Sequence, residues 1–314
     1  MNETGVDPAA VDAAARLVAE ADALLVCAGA GMGVDSGLPD FRGDEGFWKA
    51  YPPYARLGLS FFDLADPAHF DADPDLAWGF YGHRLGLYRA TVPHAGFGIL
   101  RSWGARLPHG VRVFTSNVDG QFQRAGFDGV VEAHGSIHRL QCLRPCSDDI
   151  WPADDVAIDV DEDTMRAVPP LPRCRHCGGL ARPNILMFGD WAWIGEPAGA
   201  RERELAGWLR MLIGTKSRLT VVELGAGKAI PTVRNRAERT AASAAASGRR
   251  SGGSLIRINP DPAAAAVPPG VGVALGAGAL AALTAIDARL PYLTQPSTVS
   301  VTDVAISLAT SRGR

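Results

Sequence analysis

ALLVCAGAGMG, residues 23–33, joins a run of six apolar residues to a turn that carries three glycines. A short apolar run bounded by turn residues is typical of a buried strand, and open parallel sheets bind nucleotides where such a strand ends in a glycine turn. Glycine lets the backbone approach a diphosphate closely, and the N-terminus of a following helix favours its negative charge. The stretch predicts the first strand of a parallel sheet with a nucleotide site at its end.

Further short apolar runs alternate with segments of helical spacing along the chain. Strands are predicted at residues 111–115, 130–132, 185–188, 219–224, 255–259 and 272–275. This alternation indicates a parallel sheet covered by helices on both faces, so the predicted fold class is α/β and Rossmann-like. Two stretches are predicted to lack regular structure: residues 39–74, rich in Pro, Gly and aromatics, and residues 237–253, as a flexible loop.

The composition is ordinary for a globular protein, with 47% hydrophobic residues in a chain of 314. A net charge of −3 gives no global attraction to nucleic acid or to an acidic membrane. The first residues lack the pattern of a secretory signal, and no apolar run approaches the ~20 residues of a membrane-spanning helix. We therefore expect a cytoplasmic protein with no nucleic-acid partner and no membrane partner.

Four of the five cysteines form two close pairs, Cys142-x-x-x-Cys146 and Cys174-x-x-Cys177. In a reducing compartment such pairs indicate a metal rather than disulfides, because a short turn points both thiolates at one tetrahedral ion. We predict a small inserted module with a structural Zn²⁺ bound by all four thiolates, which leave no open position for catalysis. The fifth, Cys27, lies inside the first predicted strand and is expected in the core.

The glycine turn departs from the pattern of dehydrogenases. After Gly29-x-Gly31 the third position of that fingerprint is Val34, where glycine or alanine is required. The spacing therefore argues against an enzyme that transfers hydride to a nicotinamide cofactor.

Longer motifs surround this turn and follow it in order. The turn extends to GAGMGVDSGLPDFR at residues 29–42, and TSNVDG stands at residues 115–120. HGS follows at residues 134–136, and RP at residues 182–183 precedes FGD at residues 188–190. This ordered set resembles the sirtuins, the Sir2-type NAD-dependent protein deacylases, over roughly residues 21–280. The resemblance implies removal of acyl groups from protein lysines with NAD as co-substrate, as a deacetylase or as a desuccinylase or demalonylase.

The resemblance implies three catalytic residues. His134 would be the general base on a ribose hydroxyl, a role that suits a side chain with a pKa near neutrality. Asn117 would bind the ribose hydroxyls, and Asp119 would hold the nicotinamide carboxamide. Each has a plainer interpretation, since a histidine taken alone is more often structural, Asn117 fits a turn and Asp119 fits a helix cap. The products would be nicotinamide, free lysine and O-acyl-ADP-ribose.

The resemblance also implies a set of NAD contacts at the ends of the predicted strands. The diphosphate would lie on the first glycine turn, and residues 40–42 would cover the nicotinamide ribose as a flexible lid. The set is Gly29, Ala30, Gly31, Asp40, Phe41, Arg42, Ser116, Asn117, Val118, Asp119, Gly225, Ala226, Gly227, Asn259 and Ala277. Lys228 stands where a small hydroxyl residue is usual, and its side chain is long enough to reach a phosphate.

Tyr81-x-x-Arg84 bears on the acyl group. The pair resembles that of sirtuins which prefer succinyl or malonyl lysine, where arginine offers a planar fork to the distal carboxylate. One helical turn separates the two residues, so both can face one pocket. The alternative left open is a surface arginine and a half-buried tyrosine on an amphipathic helix. Phe188 and Gly189 complete the implied substrate-binding set, and the implied partner is an acylated lysine of a protein substrate.

The chain divides into four predicted parts. Residues 1–40, 91–140 and 184–290 would form a Rossmann-like NAD-binding domain, and residues 41–90 the cofactor loop and the helical part of a small domain. Residues 141–183 would form the zinc-binding module, and residues 291–314 a C-terminal tail.

Two departures from the family pattern leave other functions open. Ser116 replaces a usual glutamine, and Gln121-Phe122 replaces a usual Leu-His pair. An ADP-ribosyltransferase or an NAD hydrolase on the same scaffold would share the NAD pocket, and a non-catalytic NAD-binding module would bind without releasing nicotinamide. The intact His134 favours deacylation.

Overall fold

A computed structural model describes residues 6–40, 43–246, 255–267 and 270–290. Its strands are β1 (Ala23–Ala28), β2 (Val111–Thr115), β3 (Val130–Glu132), β4 (Gly135–Cys142), β5 (Ile150–Pro152), β6 (Val160–Asp161), β7 (Arg166–Ala167), β8 (Ala181–Ile185), β9 (Leu219–Leu224), β10 (Leu255–Ile258) and β11 (Gly272–Leu275). Its α-helices are α1 (Pro8–Ala19), α2 (Gly43–Ala50), α3 (Pro52–Arg56), α4 (Phe61–Leu64), α5 (Ala68–Ala72), α6 (Pro74–Ala90), α7 (Ala95–Ala105), α8 (Gln121–Arg124), α9 (Glu196–Gly214), α10 (Thr232–Ala246), α11 (Pro262–Ala265) and α12 (Ala279–Asp287). Among these described helices, none has both the length and the apolar character needed to span a bilayer.

Six parallel strands form the main sheet, in the order β11-β10-β9-β1-β2-β3. The chain builds outward from β1 to β3 on one side and then returns to place β9 against the other edge of β1. The strand order therefore reverses beside β1, and in open α/β sheets the ligand crevice forms at the carboxyl ends of strands at such a reversal. The predicted Rossmann-like α/β class is confirmed.

Helices cover both faces of this sheet, as the alternating pattern predicts. Successive side chains of a strand point to opposite faces. Leu24, Val26 and Ala28 pack in a core with α1, α7 and α12. Leu25 and Cys27 pack on the other face in a core with α9 and α10. Cys27 is fully buried, so its expected place in the core is confirmed.

A second unit lies beside the sheet and is built from two distant parts of the chain. Helices α2 to α6 supply one part, and the other is a three-stranded antiparallel sheet, β5-β4-β8, with the hairpin β6-β7. One core joins them, in which Phe47, Tyr54 and Phe80 pack with Leu140 and Met165. The indole nitrogen of Trp78 on α6 also donates to the carbonyl of Ala181 on β8, over 3.0 Å.

Two expectations about irregular structure are wrong. Residues 39–74 contain the four short helices α2 to α5, because their aromatic side chains pack around α6 without a helical period in the sequence. Residues 237–246 complete α10, because Ala237 and Ala241 pack on the sheet. Residues 247–253 of the expected loop lie outside the described residues.

Two glycine turns meet at the carboxyl end of the sheet. Gly29 donates its N–H to the Leu224 carbonyl over 2.9 Å, and Gly31 donates to the Gly225 carbonyl over 3.1 Å. A Cβ on Gly31 would lie 2.7 Å from Gly225 Cα, and one on Gly225 would lie 2.4 Å from Gly31 Cα. Gly225 also has a φ of +59°, in the left-handed region that favours glycine. These glycines are therefore required first of all so that the turns after β1 and β9 can touch.

We expect Gly225→Ala to lower the free energy of unfolding by about 2–4 kcal/mol, because it adds both backbone strain and a clash. Gly227→Ala is the matched control in the same turn, since Gly227 has no positive φ and nothing lies within 4 Å of an added Cβ. Its effect should stay within about 1 kcal/mol. Urea unfolding of both variants measures the difference. Equal stabilities for the two would show that the turns do not depend on this contact.

Candidate active site

A cavity of about 640 Å³ opens at the carboxyl ends of the central strands, between the sheet and the second unit. Most of the site residues predicted from the sequence line it: Gly29, Ala30, Gly31, Asp40, Tyr81, Arg84, Ser116, Asn117, Val118, Asp119, His134, Phe188, Gly225, Ala226, Gly227 and Asn259. The volume lies within the range of roughly 300–1,000 Å³ that is usual for small-molecule sites.

Four other predicted residues do not line the cavity or cannot be located. Ala277 is buried just after β11 and is not part of the cavity wall. Gly189 is also absent from the wall, although its neighbour Phe188 is part of it. Phe41 and Arg42 lie outside the described residues, so their expected role as a lid stays a prediction.

Two asparagines hold the two glycine turns in place. The side-chain amide of Asn117, just after β2, donates to the Gly29 carbonyl over 3.1 Å. The side-chain amide of Asn259, just after β10, donates to the Ala226 carbonyl over 3.0 Å. Both asparagines also line the cavity, so each one holds a turn and is at the same time part of the cavity wall. Each turn is thus fixed by the strand next to its own.

Asp119 is buried in the wall where the chain leaves β2 and enters α8. It is 8% exposed, and its Oδ1 accepts the N–H of Gln121, the first residue of α8, over 2.9 Å; the N-cap of this helix is Gly120. Burial raises the pKa of Asp119 to about 6, while the Gln121 N–H opposes the shift and the charge of Glu132 adds to it. Its carboxyl group can therefore exist in either protonation state near neutral pH.

His134 follows β3 and lines the same cavity. Its Nε2 lies 3.3 Å from the Thr232 hydroxyl at the start of α10, and its carbonyl accepts the Leu186 N–H over 2.9 Å. Burial lowers the pKa of His134, which favours the neutral imidazole. The neutral form is the one that accepts a proton. The next residue, Gly135, has a φ of +78°, and a Cβ there would lie 2.1 Å from the Asn184 carbonyl oxygen.

Arg84 lies deep in the wall and is only 6% exposed. Its guanidinium lies 5.0 Å from the centre of the Phe80 ring and 5.8 Å from that of Tyr81. Its Nε and Nη2 donate to the Tyr88 hydroxyl over 3.0 and 2.7 Å. The alternative of a surface arginine beside a half-buried tyrosine is therefore wrong, because both side chains of the Tyr81-x-x-Arg84 pair are buried and face the cavity.

The four paired cysteines lie together in the second unit, where β4 ends at Cys142. All their sulfur atoms lie within 4.8 Å of one another, with 3.7 Å between Cys142 and Cys177 and 3.6 Å between Cys146 and Cys174. Four sulfurs at 2.3 Å from a tetrahedral zinc would be about 3.8 Å apart. The donor set therefore fits one zinc ion with a closed coordination shell, which suits a structural site. The cavity wall contains none of these cysteines.

Comparison with known proteins identifies the family. Residues 29–202, more than half of the chain, match the Sir2 family model. The chain belongs to the Sir2 family. It is 31% identical to the "NAD-dependent protein deacylase" of Aeropyrum pernix, over 81% of this chain and 87% of that protein. It is 34% identical to the "NAD-dependent protein deacylase sirtuin-5, mitochondrial" of Danio rerio, over 63% of this chain and 67% of that protein.

Another relative, "NAD-dependent protein deacylase 2" of Pyrobaculum aerophilum, is 37% identical, and the match spans 62% of its length. Among solved structures, one described as a Sir2 homolog–NAD complex superimposes with a TM-score of 0.63. It is 22% identical over 90% of this chain and 94% of that one. At this identity the likeness shows a shared fold.

Part of the wall of this Sir2 protein was not predicted from the sequence. Its members come mostly from the short helices and from the turns after β8 and β9: Leu38, Pro39, Phe61, Phe62, Ala65, Tyr88, Ile185, Leu186, Met187, Ala229, Ile230, Val233, Asp261 and Ala264. Tyr88 is the one with a sequence signal, since it follows Arg84 by four residues on one helix. Lys228, noted as a departure from the family, is exposed and also lines the wall.

The RP…FGD segment of this Sir2 protein is held by a buried ion pair. Nη1 of Arg182 donates to Asp190 over 2.7 Å, and neither side chain is exposed. Asp190 also accepts the Ala192 N–H over 3.1 Å, which closes the loop after β8. Phe188 donates its N–H to the Ala65 carbonyl over 2.8 Å. The pair therefore fixes the loop that presents Phe188 to the cavity.

We expect the purified Sir2 protein to contain about one zinc per chain, and Cys174→Ser to lose most of it. Loss of the metal should lower the free energy of unfolding by more than about 3 kcal/mol, because binding of a structural zinc is coupled to folding. Elemental analysis and urea unfolding measure both effects. Cys27→Ala is the control, since Cys27 is buried in the sheet core away from the cluster. Retention of zinc by Cys174→Ser would contradict the four-thiolate site.

The raised pKa of Asp119 predicts a pH-dependent gain in stability for Asp119→Asn. Between about pH 4 and pH 6 the unfolded carboxyl has lost its proton while the folded one keeps it, so this group contributes less stability as the pH rises. The asparagine variant does not titrate. Its stability relative to the wild type should therefore rise by up to about 3 kcal/mol from pH 4 to pH 7. Urea unfolding across this range tests the slope, with the exposed Asp128→Asn as control; a flat difference for Asp119→Asn contradicts it.

Proposed function

We propose that this protein is an NAD-dependent protein lysine deacylase that releases nicotinamide and O-acyl-ADP-ribose. The observation that carries the proposal is that His134, Asp119 and both glycine turns line one cavity. Membership of the Sir2 family and the names of its relatives, such as the deacylase of Aeropyrum pernix, support the activity. NAD would supply the glycosidic bond that is broken, and the acylated lysine would supply the attacking oxygen.

The cavity wall fits a dinucleotide. Gly227 lies in the wall, and nothing lies within 4 Å of an added Cβ, so a side chain there would occupy only cavity space. The exposed Ala30 lies on the opposite turn, after β1, and the exposed Lys228 follows Gly227 in the chain. The turns can therefore offer backbone groups to the diphosphate of an extended dinucleotide, and Lys228 can offer a positive charge. Asn259 and Asp261 offer polar groups for an adenosine ribose at the end of β10.

His134 is the general base in this proposal. Its neutral imidazole, favoured by burial, accepts a proton from a ribose hydroxyl. The Thr232 hydroxyl beside Nε2 can orient the ring, and the Leu186 N–H holds the backbone of the histidine. Removal of a positioned base of this kind costs typically 10²–10⁴-fold in rate.

Asp119 and Asn117 orient the co-substrate in this proposal. A carboxyl group held by the Gln121 N–H presents its other oxygen to a carboxamide, and a pKa of about 6 lets it accept or donate. Asn117 keeps its amide nitrogen on the Gly29 carbonyl, so its oxygen is the atom for a ribose hydroxyl. The remaining NAD contacts predicted from the sequence, with Phe41, Arg42 and Ala277 among them, stay part of the proposal.

The acyl class in this proposal is a chain that ends in a carboxylate, as in succinyl or malonyl lysine. A buried guanidinium that is surrounded by aromatic rings in the cavity wall favours an anionic group over a neutral one. The similarity to the sirtuin-5 deacylase of Danio rerio supports this class. Phe188 would contact the substrate at the cavity mouth, and Gly189 would let the loop turn, since its φ is +65°.

The division of the chain and its location also remain proposals. The sheet with its helices is the NAD-binding domain, residues 41–90 and 141–183 form the small domain with its zinc, and residues 291–314 lie outside the described ranges. Free, closely spaced thiolates suit a reducing compartment such as the cytoplasm. The absence of nucleic-acid and membrane partners stays a prediction.

His134→Ala should lower the rate of lysine deacylation by roughly 10²–10⁴-fold, because it removes the base. The measurement uses NAD with acetyl- and succinyl-lysine peptides and identifies products by mass. NAD binding should remain, since the glycine turns are intact. His69→Ala, on α5 outside the cavity, is the control.

The outcomes separate the candidate functions. Release of nicotinamide without loss of the acyl group, by the wild type, would indicate ADP-ribosyl transfer or NAD hydrolysis instead. Binding of NAD without any release of nicotinamide would indicate a non-catalytic module.

A further inference from the structure

The cavity contains a row of three polar side chains from one helix. Tyr81, Arg84 and Tyr88 stand at spacings of three and four residues on α6, so they lie on one face of the helix. All three line the cavity and all are buried, with exposed fractions of 1%, 6% and 5%. Tyr88 has no part in the deacylation chemistry proposed above, although its hydroxyl lies 2.7 Å from Arg84 Nη2.

The hydrogen bonds of Tyr88 determine how the guanidinium is presented. Its hydroxyl oxygen accepts from both Nε and Nη2 of Arg84, at 3.0 and 2.7 Å, so it engages one whole edge of the planar group. With the Nε/Nη2 edge occupied by Tyr88, the adjacent edge, with one N–H on each Nη, can donate two parallel bonds to a carboxylate. Because the guanidinium is planar and rigid, fixing its Nε/Nη2 edge on Tyr88 also sets the direction in which its Nη1/Nη2 edge points.

Aromatic rings surround the Arg84 guanidinium but do not fix its orientation. Its carbon lies 5.0 to 5.9 Å from the ring centres of Phe80, Tyr88, Tyr81 and Phe61. Contacts with ring faces stabilise the cation but set little orientation within its plane. The two directional bonds to Tyr88 supply that orientation.

Tyr88 also keeps a proton of its own. Burial raises the pKa of this phenol and the charge of Asp119 adds to the shift, although Arg84 opposes it, so the hydroxyl is neutral at neutral pH. A phenol oxygen that accepts two bonds still has one O–H to donate. That hydrogen bond can be directed at the same anionic group that Arg84 binds.

We propose that Tyr88 is a positioning residue which orients the Arg84 guanidinium and thereby sets the preference for acyl groups with a terminal carboxylate. The inference rests on the proposed deacylase function. Tyr88 is not required for breaking the glycosidic bond, so its effect should depend on the acyl group.

The test compares wild type, Tyr88→Phe, Arg84→Gln and the double variant on acetyl- and succinyl-lysine peptides of one sequence, with saturating NAD. Tyr88→Phe keeps the ring and should raise KM for the succinyl peptide about 10-fold or more, because a charge-assisted hydrogen bond is lost. Its kcat/KM for the acetyl peptide should stay within about twofold. The double variant should lose no more succinyl preference than Arg84→Gln alone, because Tyr88 acts through Arg84.

Tyr54→Phe is the matched control. Tyr54 is also buried in the aromatic core of the second unit, but it does not line the cavity and its hydroxyl lies 3.5 Å from the Met165 carbonyl. Its succinyl-to-acetyl ratio should equal that of the wild type. If thermal melting shows that Tyr88→Phe does not fold, Arg84→Lys replaces it, because an ammonium cannot donate two bonds from one fixed edge. Arg84→Lys should then show the same loss of succinyl preference.

Several results would overturn the inference. One is an equal loss of activity on the acetyl and succinyl peptides in Tyr88→Phe. Another is a succinyl-to-acetyl activity ratio that is unchanged in Tyr88→Phe or in Arg84→Lys. A third is a double variant whose loss of succinyl preference equals the sum of the two single losses. A wild type that removes acetyl and succinyl groups equally well would overturn it and leave the deacylase function standing. A wild type that removes neither group, while NAD is bound or cleaved, would refute the proposed function and the inference together.

Discussion

The contact between two backbone turns governs the layout of the cavity. The turn after β1 and the turn after β9 approach so closely that neither Gly31 nor Gly225 has room for a Cβ. Two asparagines from the flanking strands then hold these turns through their side-chain amides. Because the strand order reverses at this point, the crevice opens there, and both turns form part of its lining.

The opposite wall depends on a different kind of packing. It comes from the second unit, where aromatic side chains from short helices surround α6 and bury a guanidinium among them. The loop after β8 connects the two walls, because it binds the His134 carbonyl on one side and the Ala65 carbonyl on the other. The buried pair of Arg182 and Asp190 keeps this loop closed. On the sheet side, the glycine turns contribute backbone to the cavity, whereas the second unit contributes mainly aromatic and aliphatic side chains together with Arg84.

Features with a local signal could be predicted from the sequence. The apolar run of β1 is fully buried, the cysteine pairs converge, and the motif residues meet because the carboxyl ends of parallel strands share one edge. Features that arise only from distant contacts could not be predicted. Phe61 and Phe62 carry no periodic pattern, so their place in the wall depends on how α4 packs within the second unit.

The role of the glycines shows the same limit. From the sequence alone, Gly29 and Gly31 indicate a close approach to a diphosphate. Their nearest neighbour is in fact the turn at Gly225, about 200 residues later in the chain, and this becomes evident only once β9 lies beside β1. Similarly, Arg84 is compatible with a surface position in sequence, and it is buried because aromatic side chains such as Phe61 of α4 pack against α6.

The discontinuous second unit has a consequence for the order of assembly. Its core needs α6, which ends at Ala90, together with β7 and β8, which end at Ala167 and Ile185. During synthesis on a ribosome, the aromatic side chains of α2 to α6 stay uncovered until the antiparallel strands have been synthesised. The edge of β1 that pairs with β9 stays unpaired for longer, because β9 is synthesised later still. Long-range closures of this kind slow folding and prolong the exposure of apolar surface. A nascent chain that stops before β8 would leave the apolar side chains of α2 to α6 without part of their core, and would therefore be prone to aggregate.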